Sequence, residues 1–191
     1  QSEAQAGGVH TSPCPYRIGG TTNISLGNRK ISCDLIIESS SRVTLTGPLW
    51  VRGNLTLGDA AIIRVSPTLQ GRSVPIIADN PTDRLNSSRI TVGGSAGAFG
   101  AGDDSFVVLV SRNTSSRDGG TTVAINLRGG GPERALVLYT RYGRVSIGGS
   151  AHMSAVAAHR VEIAGAAVVE YDSGLANMLF SSGPGGGFVI R

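Results

Sequence analysis

An all-β fold, a β-solenoid (β-helix) of short stacked rungs with irregular loop insertions, is what this 191-residue sequence predicts. Three observations lead there. Short β-branched or alternating runs recur along the whole chain, Gly, Asn, Asp and Ser separate them, and several of the runs are copies of one another. No stretch holds a helical period over ten or more residues.

In chain order, residues 1 to about 22 read as an N-terminal arm, and 1–191 as one domain. Strands are then expected at 24–26, 31–37, 43–45, 49–51, 55–57 and 62–65. They continue at 74–78, 90–92, 106–110, 123–127, 136–139, 145–147, 161–163 and 168–171. The most helix-like stretch, 152–159, alternates small residues and fits a strand equally well. Irregular insertions are expected around 78–89, 97–105, 111–121 and 128–134, and a Gly-rich tail at about 173–191.

The copies are specific. Ile90-Thr-Val-Gly-Gly-Ser-Ala96 and Val145-Ser-Ile-Gly-Gly-Ser-Ala151 share one pattern, and Val161-Glu-Ile-Ala-Gly-Ala-Ala167 repeats it with small residues at the same places. Residues 55–60 and 24–28 are looser copies. A strand, a small-residue corner and another strand every sixteen to twenty residues is a repeat signature. Stacking at about 4.8 Å would put Val, Ile and Leu in columns, and the chain has room for roughly ten rungs. An antiparallel β-sandwich explains the strands but not the repeated corner.

Composition narrows the function classes. Charged residues are only 16% and aliphatic residues abundant, which argues against disorder; Gly, at 28 residues, has no three-residue period, which excludes collagen. The apolar run at 106–110 is far too short to span a bilayer, and a signal peptide or anchor, if the protein has one, is expected outside this sequence. The net charge is +4, and sixteen of the seventeen basic residues are Arg, Lys30 being the exception. Arg grips carboxylates and phosphates bidentately, although genome composition or heat adaptation also enriches it. Cys14 and Cys33 are the only cysteines, and their spacing matches no redox or zinc motif. One disulfide in an oxidising compartment is expected, contributing roughly 3 kcal/mol.

Catalytic signatures are weak. Gly93-Gly-Ser-Ala-Gly97 matches the nucleophile-elbow pattern, but 98–104 cannot supply the helix that the elbow requires, so Ser95 reads as a corner residue. His152 and His159 have no metal-ligand spacing, and Asp103-Asp104 reads as a solvated turn. Glu162 and Glu170 are the one carboxylate pair placed on adjacent elements, as glycoside chemistry would need. Sequons at Asn23, Asn54, Asn86 and Asn113 are no more than chance in so Ser/Thr-rich a chain.

The run Tyr139-Thr-Arg-Tyr-Gly-Arg-Val-Ser-Ile-Gly-Gly-Ser-Ala151, followed by Ala155-Val-Ala-Ala-His-Arg-Val-Glu-Ile-Ala-Gly165, resembles PilX-like, competence-associated minor pilins of type IV pili that carry a β-solenoid domain. The stretches 169–175 and 180–188 are similar to the tail of that family. The long hydrophobic helix that begins a pilin is not in this sequence, and the expectation is a chain trimmed to the solenoid or a processed fragment.

The resemblance implies a non-enzymatic, extracellular module displayed at or near a pilus tip, without a cofactor. Its partners would be sequence-independent double-stranded DNA in natural transformation, a surface, or other pilus subunits, with no membrane contact from this segment. Arg144 and Arg160 occupy equivalent places in consecutive repeats, and with Arg141, Tyr142 and Tyr139 they form the expected DNA-binding set. Pairing of these Arg with Glu162 is the plainer reading of the same positions. A purely structural module and a carbohydrate-active β-helix enzyme are the alternatives.

Overall fold

The computed structural model describes residues 1–20, 23–129 and 135–170. A short helix α1 (Ser2–Ala6) opens the chain. Strands follow as β1 (Val9–His10), β2 (Tyr16–Ile18), β3 (Asn23–Leu26), β4 (Arg29–Ile31), β5 (Leu35–Ile37) and β6 (Arg42–Leu45). Next come β7 (Leu49–Val51), β8 (Leu55–Leu57), β9 (Ile62–Val65), β10 (Val74–Ala78), β11 (Ile90–Val92) and β12 (Gly97–Phe99). The series ends with β13 (Val107–Ser111), β14 (Val123–Arg128), β15 (Leu136–Gly148), β16 (His152–Met153), β17 (Ala155–Ile163) and β18 (Val168–Val169).

Every strand pair among the described residues is parallel, which excludes the antiparallel sandwich. Along most of the chain a strand pairs with the strand three elements later, so one side chain sits above its equivalent. Leu35, Leu55, Ile90, Ile125 and Val145 form one such column. Leu49, Ile76, Leu109 and Leu138 form a second, and Val43, Ile63 and Ala98 a third. All three columns face inward and are buried. The pattern follows from pleating: in β8, Leu55 and Leu57 point into the core while Thr56 between them is half-buried.

The expectation of a β-solenoid of roughly ten short, separate rungs is corrected by the sheet itself. Two of the ladders belong to one twelve-stranded sheet, ordered β1-β4-β7-β10-β13-β15-β14-β11-β8-β5-β2, with β17 also paired to β15. The sheet turns back at β15 and, with a four-stranded sheet (β12-β9-β6-β3), nearly closes round one core in a barrel-like arrangement. The reason lies in residues 140–144. The runs at 136–139 and 145–147 do not stop at a corner but fuse into a thirteen-residue strand, because inward burial continues through Thr140, Gly143 and Val145. A register shift between Thr140 and Arg144 takes up the extra residues, and the Thr140 hydroxyl accepts from the Gly143 amide at 3.1 Å.

Other expectations need smaller corrections. The run 31–37 is two strands, and 97–105 begins with β12 rather than being wholly irregular. The arm contains α1, β1 and β2, with Ala4 buried. Residues 152–159 are extended, in β16 and β17. The tail at 173–191 and most of 128–134 lie outside the described residues.

The repeated Gly corners stack as the copies imply. A Cβ on Gly129, at φ +149°, would run into the backbone of Gly94, and one on Gly149, at φ +72°, would lie 3.1 Å from the Gly129 Cα.

Cys14 and Cys33 are disulfide-bonded, just before β2 and β5, which pair with each other. No helix among the described residues is long and apolar enough to cross a membrane. Thiol labelling of the native protein should find no free cysteine, and Cys14→Ser with Cys33→Ser should cost about 3 kcal/mol in urea unfolding. Two free thiols in the untreated protein would contradict the bridge.

Candidate functional site

The expected DNA-binding residues divide into two groups. Arg144 and Arg160 are register partners on β15 and β17, as their equivalent places in the repeat imply. Both are held by one carboxylate: the Arg144 Nη1 donates to Glu162 Oε1 at 3.2 Å, and the Arg160 Nη2 lies 2.9 Å from the same oxygen. Arg144 also donates to the Thr121 carbonyl at 2.7 Å. The plainer reading of these two positions therefore describes their geometry. Glu162, being engaged by both guanidinium groups, is not an open partner for Glu170, which is exposed just beyond β18.

Arg141 and Tyr142 lie elsewhere, on the wall of a cleft of about 330 Å³ formed where β15 meets two loops. Tyr139 also lines it, as do Arg84, Arg112 and Arg117 from the loops. Four guanidinium groups and two phenol rings thus converge on one concavity.

Buried polar groups hold the loops in place. Asp79, just after β10, has a side chain only 1% exposed. It accepts from Arg84 Nε at 2.7 Å, Arg84 Nη2 at 3.0 Å and Gln1 Nε2 at 2.5 Å. Burial pushes its carboxyl up, but hydrogen bonds from Arg84 and Gln1 and the charges of Arg84 and Arg112 together bring it below the ordinary value. Asn113 is buried between the loops and donates to the carbonyls of Leu85 at 3.1 Å and Ser87 at 2.8 Å, while its Oδ1 accepts from the Ser115 amide at 3.0 Å. Its side-chain amide is therefore spoken for within the fold. Gly143 lets β15 approach β14 closely, because a Cβ there would collide with the Ala124 side chain.

Two of the four cations are already partnered. Arg84 is fixed on Asp79, and Arg117 donates to Asp118 at 2.6 and 3.0 Å, which raises the guanidinium and lowers the carboxyl from their ordinary values. Arg117 also lies 4.1 Å from the Tyr142 ring centre, and Arg141 lies 4.9 Å from it. Among the described residues neither Arg112 nor Arg141 has a carboxylate at ion-pair distance, and both are exposed. Tyr139 is exposed as well, at 43%. An anion entering the cleft meets two guanidinium groups that have no carboxylate at ion-pair distance among the described residues, beside the exposed Tyr139.

Sequence reasoning found Arg141, Tyr142 and Tyr139 but missed Arg84, Arg112 and Arg117. No periodic signal links them; the usable clue was the density of Arg in the non-repeating segments 78–89 and 111–121.

Elsewhere the fold offers less chemistry. Ser95 is exposed and is followed by strand β12, so no strand-to-helix elbow forms around it. Among the described residues no group of three or more His, Cys, Asp or Glu is placed to hold a metal ion. No family model matches this chain, and neither a curated protein nor a solved structure does.

Proposed function

We propose that this chain is a non-enzymatic binding module of a type IV pilus minor pilin-like protein, displayed outside the cell, and that its Arg–Tyr cleft holds the phosphate backbone of nucleic acid without reading sequence. The single observation that carries the binding reading is the convergence of four guanidinium groups, two of them without a carboxylate partner among the described residues, on one concave surface. Guanidinium matches phosphate geometry in bidentate fashion, and backbone contacts position a nucleic acid without carrying base information. The disulfide supports an oxidising, extracellular setting. The pilus assignment rests on the sequence resemblance at 139–165.

The test is a salt series with DNA oligonucleotides. Binding should weaken steeply with salt and be indifferent to sequence. Arg112→Ala with Arg141→Ala should flatten the log K against log salt slope by about 1.4 to 1.8, the value depending on whether the probe is single- or double-stranded. Arg144→Ala with Arg160→Ala should change the slope less, because Glu162 offsets one of the two charges on that edge. No binding at low salt, or an unchanged slope in a folded Arg112/Arg141 variant, would overturn the assignment.

A structural role is favoured by a different observation, at a different place. The Arg144–Glu162–Arg160 cluster clips β15 to β17, as a fastening between two paired strands would.

A further inference from the structure

We infer that the cleft takes single-stranded rather than duplex nucleic acid, with Tyr139 as the platform on which one base stacks and Arg112 and Arg141 holding the flanking phosphates. This rests on the phosphate-binding reading above and specifies its ligand.

Three features of the cleft lead to this. The two tyrosines are not equivalent: the Tyr142 ring is half-buried and carries Arg117 and Arg141 within 4.9 Å, whereas among the described residues no cation covers the Tyr139 ring. Tyr139, 43% exposed, is thus the tyrosine without a cation on its ring, beside two guanidinium groups that have no carboxylate at ion-pair distance among the described residues. The size of the concavity points the same way. At about 330 Å³ it lies at the lower end of the range for small-ligand pockets, roughly 300–1,000 Å³, which suits a unit of nucleotide size. A duplex presents phosphates but keeps its bases stacked inside, and would have to extrude one to reach Tyr139. A single strand offers phosphate and base together, and stacking on an aromatic ring tolerates any base.

The third feature is rigidity. Tyr139 sits inside the thirteen-residue β15, between Leu138 and Thr140, both fully buried. The two loops that line the cleft with it are fixed by Asn113 and Asp79. The strand that carries the stacking platform and the loop backbone beside it are thus pre-positioned, which limits the ordering cost of binding.

Oligo(dT), a duplex of equal phosphate count and inorganic polyphosphate serve as probes for the wild type, Tyr139→Ala and Tyr139→Phe. Oligo(dT) should bind more tightly than the duplex and quench tyrosine fluorescence. Tyr139→Ala should weaken oligo(dT) by about 5- to 100-fold while leaving polyphosphate unchanged, and Tyr139→Phe should keep most of the affinity. Equal binding of oligo(dT) and duplex with no effect of Tyr139→Ala would overturn the single-strand inference and leave the phosphate reading standing. Failure of the wild type to bind any of the three at low salt would overturn both. An equal loss for oligo(dT) and polyphosphate would show that Tyr139 supports the cleft rather than stacking, and would also overturn the inference.

Discussion

Leu109→Ala should cost about 3–5 kcal/mol of unfolding free energy, while Ile163→Ala should cost under about 1 kcal/mol. Leu109 is fully buried in the middle of the Leu49–Ile76–Leu109–Leu138 column, whereas Ile163, at the open face of β17, is 55% exposed. The difference lies in whether the hole can close. On both sides of Leu109 the strands are held by backbone hydrogen bonds at about 4.8 Å, so the column above cannot sink into a vacated space. Urea unfolding of both variants, with midpoint and slope compared, measures this directly. Equal losses at the two positions would mean that the core does not run through the layers as described.

Asp79→Ala should cost about 3–4 kcal/mol, slightly below the upper range for breaking a buried pair because Arg84 keeps 35% of its side chain exposed. The substitution frees a cation and unpins the segment that carries one wall of the cleft. The effect also has a definite pH dependence. Asp79 is lowered in the folded protein from its ordinary value near 3.8, so the folded state binds the proton less tightly than the unfolded state does. Its stabilisation is therefore full above about pH 4 and is lost as pH falls through the lower folded-state value. The stability gap between wild type and Asp79→Asn should accordingly be constant near neutrality and shrink in acid. A gap that grows in acid would contradict the geometry.

How much of this was legible in the sequence differs between ladder and cleft. The Ile90, Val145 and Val161 copies mark one face, and the structure places Ile125 between the first two in the same column. Period and Gly corners carry that information because each layer repeats the same physical problem, burying alternate side chains beside a tight turn. The closure of the sheet was not legible, since 140–144 looks like a corner yet runs on as a strand through a bulge that Gly143 and Thr140 permit. The cleft was half legible. Arg141 and Tyr142 lie just before the Val145 copy, but Arg84, Arg112 and Arg117 arrive on loops whose paths are set by single buried polar groups, Asp79 and Asn113, and such groups have no period.

The disulfide has a mechanical consequence. Backbone hydrogen bonds in the ladders run along the stacking direction, with α1 and β1 at one end and β17 at the other. A tensile load along that direction would meet the bonds a strand at a time, as in opening a zipper, rather than all at once in shear. The Cys14–Cys33 bond crosses from the β2 layer to the β5 layer, so it lies at the first place where such peeling from the N-terminal end would begin. In a single-molecule pulling experiment the oxidised chain should withhold the Cys14–Cys33 segment from its extended length, and a reducing agent should release it.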